Sequence, residues 1–255
     1  MIQTKRISRG RLLSARRTLI QQTRIRQSFE RQLFTQLLQF FEQNGRIARD
    51  EYREGGVRLI NLNNRLSQIM LPHYRSVINQ MSGQFVFTKE ETDFERLVRQ
   101  FVIQFAGIRI TQIANTTRKI INRIILQAEL DGIGVEPTAR RIVEQTKPSF
   151  TRARASLIAR TETHSASSFA NQAMAESFNL PMQKRWISTN DNRTREHHRK
   201  MNGVTVGLED DFIVPYKGVE YRMKHAGDPR GGPANIINCR CVILYLEPDD
   251  KLVED

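Results

Sequence analysis

The chain has 255 residues, with 40 Lys and Arg against 27 Asp and Glu, giving a formal net charge of +13 at pH 7. That length admits one or two domains with real cores, and we read two. No apolar run approaches the ~20 residues that span a bilayer, and MIQTKRISRGRLL lacks the apolar core and cleavage site of a secretory signal, so the expectation is a chain with no membrane partner that stays where it is made. The charge points to a polyanion, either nucleic acid or an acidic protein surface.

Residues 1–31 hold nine basic side chains against one acid, Glu30. They form a basic arm in which Lys5, Arg6, Arg9, Arg11, Arg16, Arg17, Arg24 and Arg26 are candidates for docking on DNA or on an acidic protein. A solvated helix face is the alternative. Ile25, Phe29, Leu33, Leu37, Phe40 and Phe41 follow helical spacing, so an amphipathic helix is expected to end at Asn44-Gly45. A second helix is marked by residues from Val57 to Met81, with Pro72 expected to kink or divide it and His73 read as packing. Thr88 and Glu91 form a capping box for a third, whose stripe from Phe94 to Phe105 reads as core rather than a base-stacking platform.

Asp131-Gly132-Ile133-Gly134 is the expected linker, dividing a helical region (1–131) from a module at 135–246. Pro137 opens a short helix, and an alanine-rich helix from about Ser149 to Phe178 is expected to be wrapped by neighbours, with His164 an ordinary polar residue on it. Lys184 to Ser188, Val204 to Val206, Phe212 to Val214, Val219 to Tyr221 and Cys241 to Leu246 read as short strands. Between them lie a short helix from Arg193 to Lys200 and a loop at Gly227 to Pro233; an acidic tail, 247–255, follows. Helices followed by short strands make the class α+β.

The order Ala159-Arg160-Thr161-Glu162, Trp186, Asp191-Asn192-Arg193-Thr194-Arg195 with His198 and Gly203, Gly227-Asp228-Pro229, and Asn238-Cys239-Arg240-Cys241 resembles the Mu protein F-like head morphogenesis family of tailed bacteriophages. The resemblance covers Pro137 to Leu246. It implies a minor head protein inside the virion head, made in the host cytoplasm and placed near the portal. The implied role is head assembly or DNA packaging and delivery, with the portal, other head proteins and packaged double-stranded DNA as partners.

Within the module, Cys239, Cys241 and His198, with His197 or His225 as further candidates, are zinc-type ligands. One residue between the cysteines is short of the usual two, and small buried thiols at a strand start are the alternative, so zinc is allowed but not required. Arg160, Glu162, Asp191, Arg193, Arg195, Asp228, Asn238 and Arg240 are read as a structural clasp, with Arg195 or Arg240 pairing Asp191, Glu162 or Asp228. A metal-dependent nuclease or hydrolase using Glu162 or Asp191 as base is the second reading, and a plain DNA-binding module the third. No catalytic residue is assigned, because no His-Glu-x-x-His, nucleophile elbow or phosphate-binding glycine loop occurs.

Overall fold

The computed structural model describes residues 12–82 and 91–253. In chain order the elements are β1 (Leu12–Ser14), α1 (Ala15–Arg53), α2 (Leu62–Ser82), α3 (Glu91–Phe101), a π-helical turn (Val102–Ala106), α4 (Gly107–Leu130), α5 (Val135–Thr146), α6 (Pro148–Ser177), β2 (Gln183–Ile187), α7 (Glu196–Lys200), β3 (Thr205–Gly207), β4 (Phe212–Tyr216), β5 (Val219–Met223), a 3₁₀ turn (Pro229–Gly231), α8 (Gly232–Ile236), β6 (Val242–Leu246) and β7 (Lys251–Val253). The class is α+β. Among the described residues there are two compact units, 28–80 with 91–163, and 12–27 with 81–82 and 164–253.

The first unit is helical. Leu33, Leu37, Phe40 and Phe41 of α1 and Leu66, Met70, Tyr74, Val77 and Ile78 of α2 are all buried and form its core. Phe101 joins them edge-on to Tyr74, with ring centroids 5.0 Å apart. Thr88 of the expected capping box and the side chain of Phe94 lie outside the described residues.

Two expected breaks do not occur. α1 runs through Asn44-Gly45 because the Asn44 amide donates to the Phe40 carbonyl (2.6 Å) instead of capping the helix. Gly45 marks a close approach: a Cβ there would lie 1.8 Å from Thr146 Oγ1. α2 is likewise undivided, with Pro72 inside it. Asp131 to Gly134, the expected linker, joins α4 to α5 within this unit, and Gly132 adopts φ +66°.

Glu162, His73 and Thr163 are among the polar groups buried in these helices. Glu162 accepts from the Tyr74 hydroxyl (2.9 Å) and lies 3.5 Å from Arg109 Nη1. Burial raises its carboxyl pKa, while Arg109 and Tyr74 pull it down. His73 Nε2 and Thr163 Oγ1 are 2.9 Å apart, and Phe29 meets the imidazole edge-on.

In the second unit, β2 is the centre of a three-stranded sheet ordered β3-β2-β6, antiparallel throughout, with Trp186 opposite Ile243. β4 and β5 form a hairpin whose turn residues Lys217 and Gly218 both have positive φ (51° and 77°), the signature of a type I′ turn. Trp186, fully buried, packs with Met201, Phe212, Val214, Met223, Ile236 and Ile243. The first turns of α1 cover Ile187, Val242 and Leu244 with Ala15 and Leu19, and Ser14 Oγ accepts from the Arg17 amide as an N-cap.

One loop reading is corrected here. Residues 227–233 are not all loop, since Asp228 caps the 3₁₀ turn and Gly232 starts α8. The acidic tail carries β7, which pairs in parallel with β1 through Leu12 and Lys251, Leu13 and Leu252, and Ser14 and Val253.

Burial lowers the His73 pKa to about 4. An unfolded histidine takes up its proton near pH 6.5, so the stability due to neutral His73 is complete above that pH and drains away between about 6.5 and 4. The loss amounts to about 3 kcal/mol. In urea titrations over this range, His73→Gln should lose less stability than the parent; equal loss would place the acid sensitivity elsewhere.

Candidate functional site

The chemistry-bearing side chains of the second unit gather where the chain enters β6. Asn238 has φ +58° and the Cys239 amide donates to the Ile236 carbonyl (3.1 Å), so the chain turns tightly before the strand begins at Val242. Both cysteines therefore precede the strand, and Arg240 between them points away.

Arg240 pairs with Asp191. Its Nη1 and Nη2 donate to Asp191 Oδ2 and Oδ1 at 2.5 and 2.7 Å. Asp191 Oδ1 also accepts from the Arg193 amide (3.0 Å) and the Thr194 hydroxyl (3.1 Å). The Arg240 guanidinium, followed by the other donors, holds the Asp191 carboxyl well below the usual range. Arg193 contributes mainly through its backbone, because its guanidinium is exposed and 4.0 Å from Asp191. Arg195 donates to the Ile237 carbonyl rather than to a carboxylate.

The other expected clasp partners go elsewhere. Asp228 is held by Arg230, which donates through Nε (3.0 Å) and Nη2 (2.7 Å) and also reaches Asp211 (2.9 Å). Burial pushes the Asp228 carboxyl up, but these donors and the Lys224 amide (2.7 Å) together bring it below its ordinary value. Glu162 belongs to the helical unit with Arg109, and Arg160 lies 3.6 Å from Glu30 there. Of the basic arm, Lys5, Arg6, Arg9 and Arg11 lie outside the described residues, and Arg16, Arg17 and Arg24 are exposed. Arg26 is corrected: it is 3% exposed and donates to the Arg240 carbonyl (3.5 Å), so it is not available to an external polyanion.

His198, Cys239 and Cys241 come together, each nearly fully buried, with their ligand atoms all within 4.8 Å of one another. Both sulfurs lie 3.6 Å from His198 Nδ1. On the other side of the ring, Nε2 is 3.4 Å from Asn235 Oδ1, and the Asn235 amide donates to the Gly231 carbonyl (2.7 Å). Ser188 Oγ donates to the His198 carbonyl (2.5 Å) and stands 3.8 Å from Cys241 Sγ. The hydrogen bond between the two sulfurs raises the Cys239 pKa and lowers that of Cys241, making Cys241 the first to ionise. His197 packs on His198 and Tyr216, and His225 lies against the Ala226 carbonyl (3.2 Å).

His164 is no ordinary helix residue. It is fully buried, and its Nε2 donates to the Cys241 carbonyl (2.8 Å). The neighbouring Ser165 hydroxyl donates to the Gly227 carbonyl (3.0 Å). Gly227 has φ +82°, and a Cβ there would stand 2.3 Å from His164 Nδ1. The imidazole thus requires glycine at that position twice over, for conformation and for space. Sequence reasoning also missed Asn235 and Arg230, although the Asp-Pro-Arg run was an available hint of a capped turn.

In a double-mutant cycle, Asp191→Ala and Arg240→Ala should show a coupling of about 1 kcal/mol at pH 7, kept modest because the carboxylate is partly solvated. The Asp191 carboxyl is depressed, so this coupling is present above about pH 4 and lost as pH falls further. Additive single effects at pH 7 would show that the pair does not hold the loop.

A model described as "Phage Mu protein F like protein" matches residues 107–244, starting at the first residue of α4 and so earlier than Pro137. The chain is 32% identical over 133 residues to "Minor head protein GP7" of Bacillus phage SPP1, covering 50% of this chain and 41% of that protein. It is 26% identical to "Uncharacterized protein YqbB" of Bacillus subtilis (strain 168), covering 53% and 46%. It is 29% identical to "NAD(+)--arginine ADP-ribosyltransferase EFV" of Enterococcus faecalis (strain ATCC 700802 / V583), covering 52% and 25%. The chain spans less than half the length of each of these relatives. No solved structure matches it significantly. Since the family model takes in more than half of its residues, with the Asp191 clasp and the His198, Cys239 and Cys241 cluster inside the match, the chain belongs to the phage Mu protein F-like family.

Proposed function

We propose that this chain is a minor head protein of a tailed bacteriophage, acting in head morphogenesis and residing in the virion. The observation that carries the reading is its 32% identity to a minor head protein of phage SPP1 within a Mu F-like family match. We read the chain as structural rather than enzymatic. The carboxylates best suited to act as bases are engaged: Asp191 by Arg240, Arg193 and Thr194, and Glu162 by Tyr74 and Arg109. The match to an ADP-ribosyltransferase spans a quarter of that enzyme and does not carry its activity here.

The finer part of the proposal is that the protein docks near the portal and meets packaged DNA through its basic segment. In support, Arg16, Arg17 and Arg24 are exposed on α1 and the chain carries a net charge of +13. Guanidiniums placed this way neutralise phosphates and release counterions.

A tagged chain, supplied to the phage or prophage that encodes it, should cosediment with assembled heads and bring portal subunits with it when heads are disrupted gently. Recovery only in the unassembled fraction would sink the head reading. For DNA, Arg16→Gln, Arg17→Gln and Arg24→Gln together should flatten the slope of log affinity against log salt by about 2 to 3. An unchanged slope would locate the contact elsewhere.

A further inference from the structure

We propose that His198 Nδ1 and the Sγ atoms of Cys239 and Cys241 form a Cys₂His zinc site, independent of any role in the head. In a zinc tetrahedron with Zn–S near 2.3 Å and Zn–N near 2.05 Å, the edge from sulfur to nitrogen is about 3.6 Å. Both sulfurs stand 3.6 Å from Nδ1. The short spacing of the cysteines is no obstacle, because the left-handed Asn238 and the turn at Ile236 keep both out of the strand and bring them to one imidazole.

The far side of the imidazole is also set for a metal. An Nε2–H directed at Asn235 Oδ1 leaves the lone pair on Nδ1, the tautomer a metal needs, and Asn235 is itself fixed by the Gly231 carbonyl. Simple thiol packing explains the arrangement less well. One imidazole lone pair accepts one good S–H, yet two sulfurs stand equally close to it; Cys241 otherwise meets the Cys239 sulfur and Ser188 Oγ, the latter at 3.8 Å. Zinc with two thiolates is a neutral assembly, which lets both cysteines ionise in a site where each is 2% exposed. The cluster offers two sulfurs and an imidazole and no carboxylate, a donor set for a borderline-soft ion rather than magnesium or calcium. The fourth vertex falls to a small ligand such as water.

The test uses the full chain with its thiols reduced, stripped by chelator and given Zn²⁺ alone. Elemental analysis after desalting should find about one zinc per chain, and Cys239→Ser should retain almost none. Co²⁺ in its place should show thiolate-to-metal charge-transfer absorption. Asn235→Ala keeps every ligand, and in competition with a chromophoric chelator it should bind zinc about 10- to 100-fold more weakly. Should Cys239→Ser fail to fold, the parent's zinc content and cobalt spectrum still decide. A reduced, folded parent that retains no zinc, or a cobalt form without the thiolate band, overturns the proposal.

Discussion

The hydrogen bond from His164 Nε2 to the Cys241 carbonyl is the constraint from which the second unit takes its order. It fixes the start of β6 against α6, and the residues just before it are then held in turn. Arg240 is locked to Asp191, while the side chain of Cys241 faces His198 on α7. Next to His164, Ser165 and Gly227 bring in the loop that leads to the 3₁₀ turn. A small sheet with two five-residue strands and one of three has little apolar area of its own. Directed bonds to buried polar groups supply the definition that the core cannot.

α6 makes this possible through its composition. From Thr161 to Met174 it is buried on nearly every side, yet it carries Thr, Glu, His and Ser as well as Ala. A helix buried all round is ordinarily apolar all round. Here the small residues admit close neighbours, while four consecutive polar ones reach particular partners: Glu162 to Tyr74, Thr163 to His73, His164 to Cys241 and Ser165 to Gly227. An unmet group at any of these positions leaves a buried polar atom without its bond. That makes the Ala-Arg-Thr-Glu-Thr-His-Ser run a specification of contacts more than of helix propensity.

Much of this was legible in the chain itself. The stripes of α1 and α2 and the strands on either side of Trp186 followed from periodicity and turn residues, and balanced charge pointed to a clasp without choosing between Arg195 and Arg240 or among Asp191, Glu162 and Asp228. What was hidden depends on contacts distant in sequence. Asn44-Gly45 reads locally as a helix stop, and only Thr146 shows that the glycine makes room instead. Arg26 looks like its exposed neighbours until the Arg240 carbonyl is placed beside it. His164 gives no local sign of burial, because a polar residue in a helix resembles a surface residue until its partner across 77 positions is known. The strand in the acidic tail was hidden for a related reason: it exists only through pairing with residues distant in sequence.

That pairing has a temporal side. β1 is made long before its partner strand, Lys251–Val253. During synthesis Leu12 to Ser14 must wait, their ladder bonds made only to water, until residue 253 has left the ribosome. The ladder therefore closes only after the helices and sheets between its two strands have been made, and a chain interrupted before residue 251 leaves β1 without its mate.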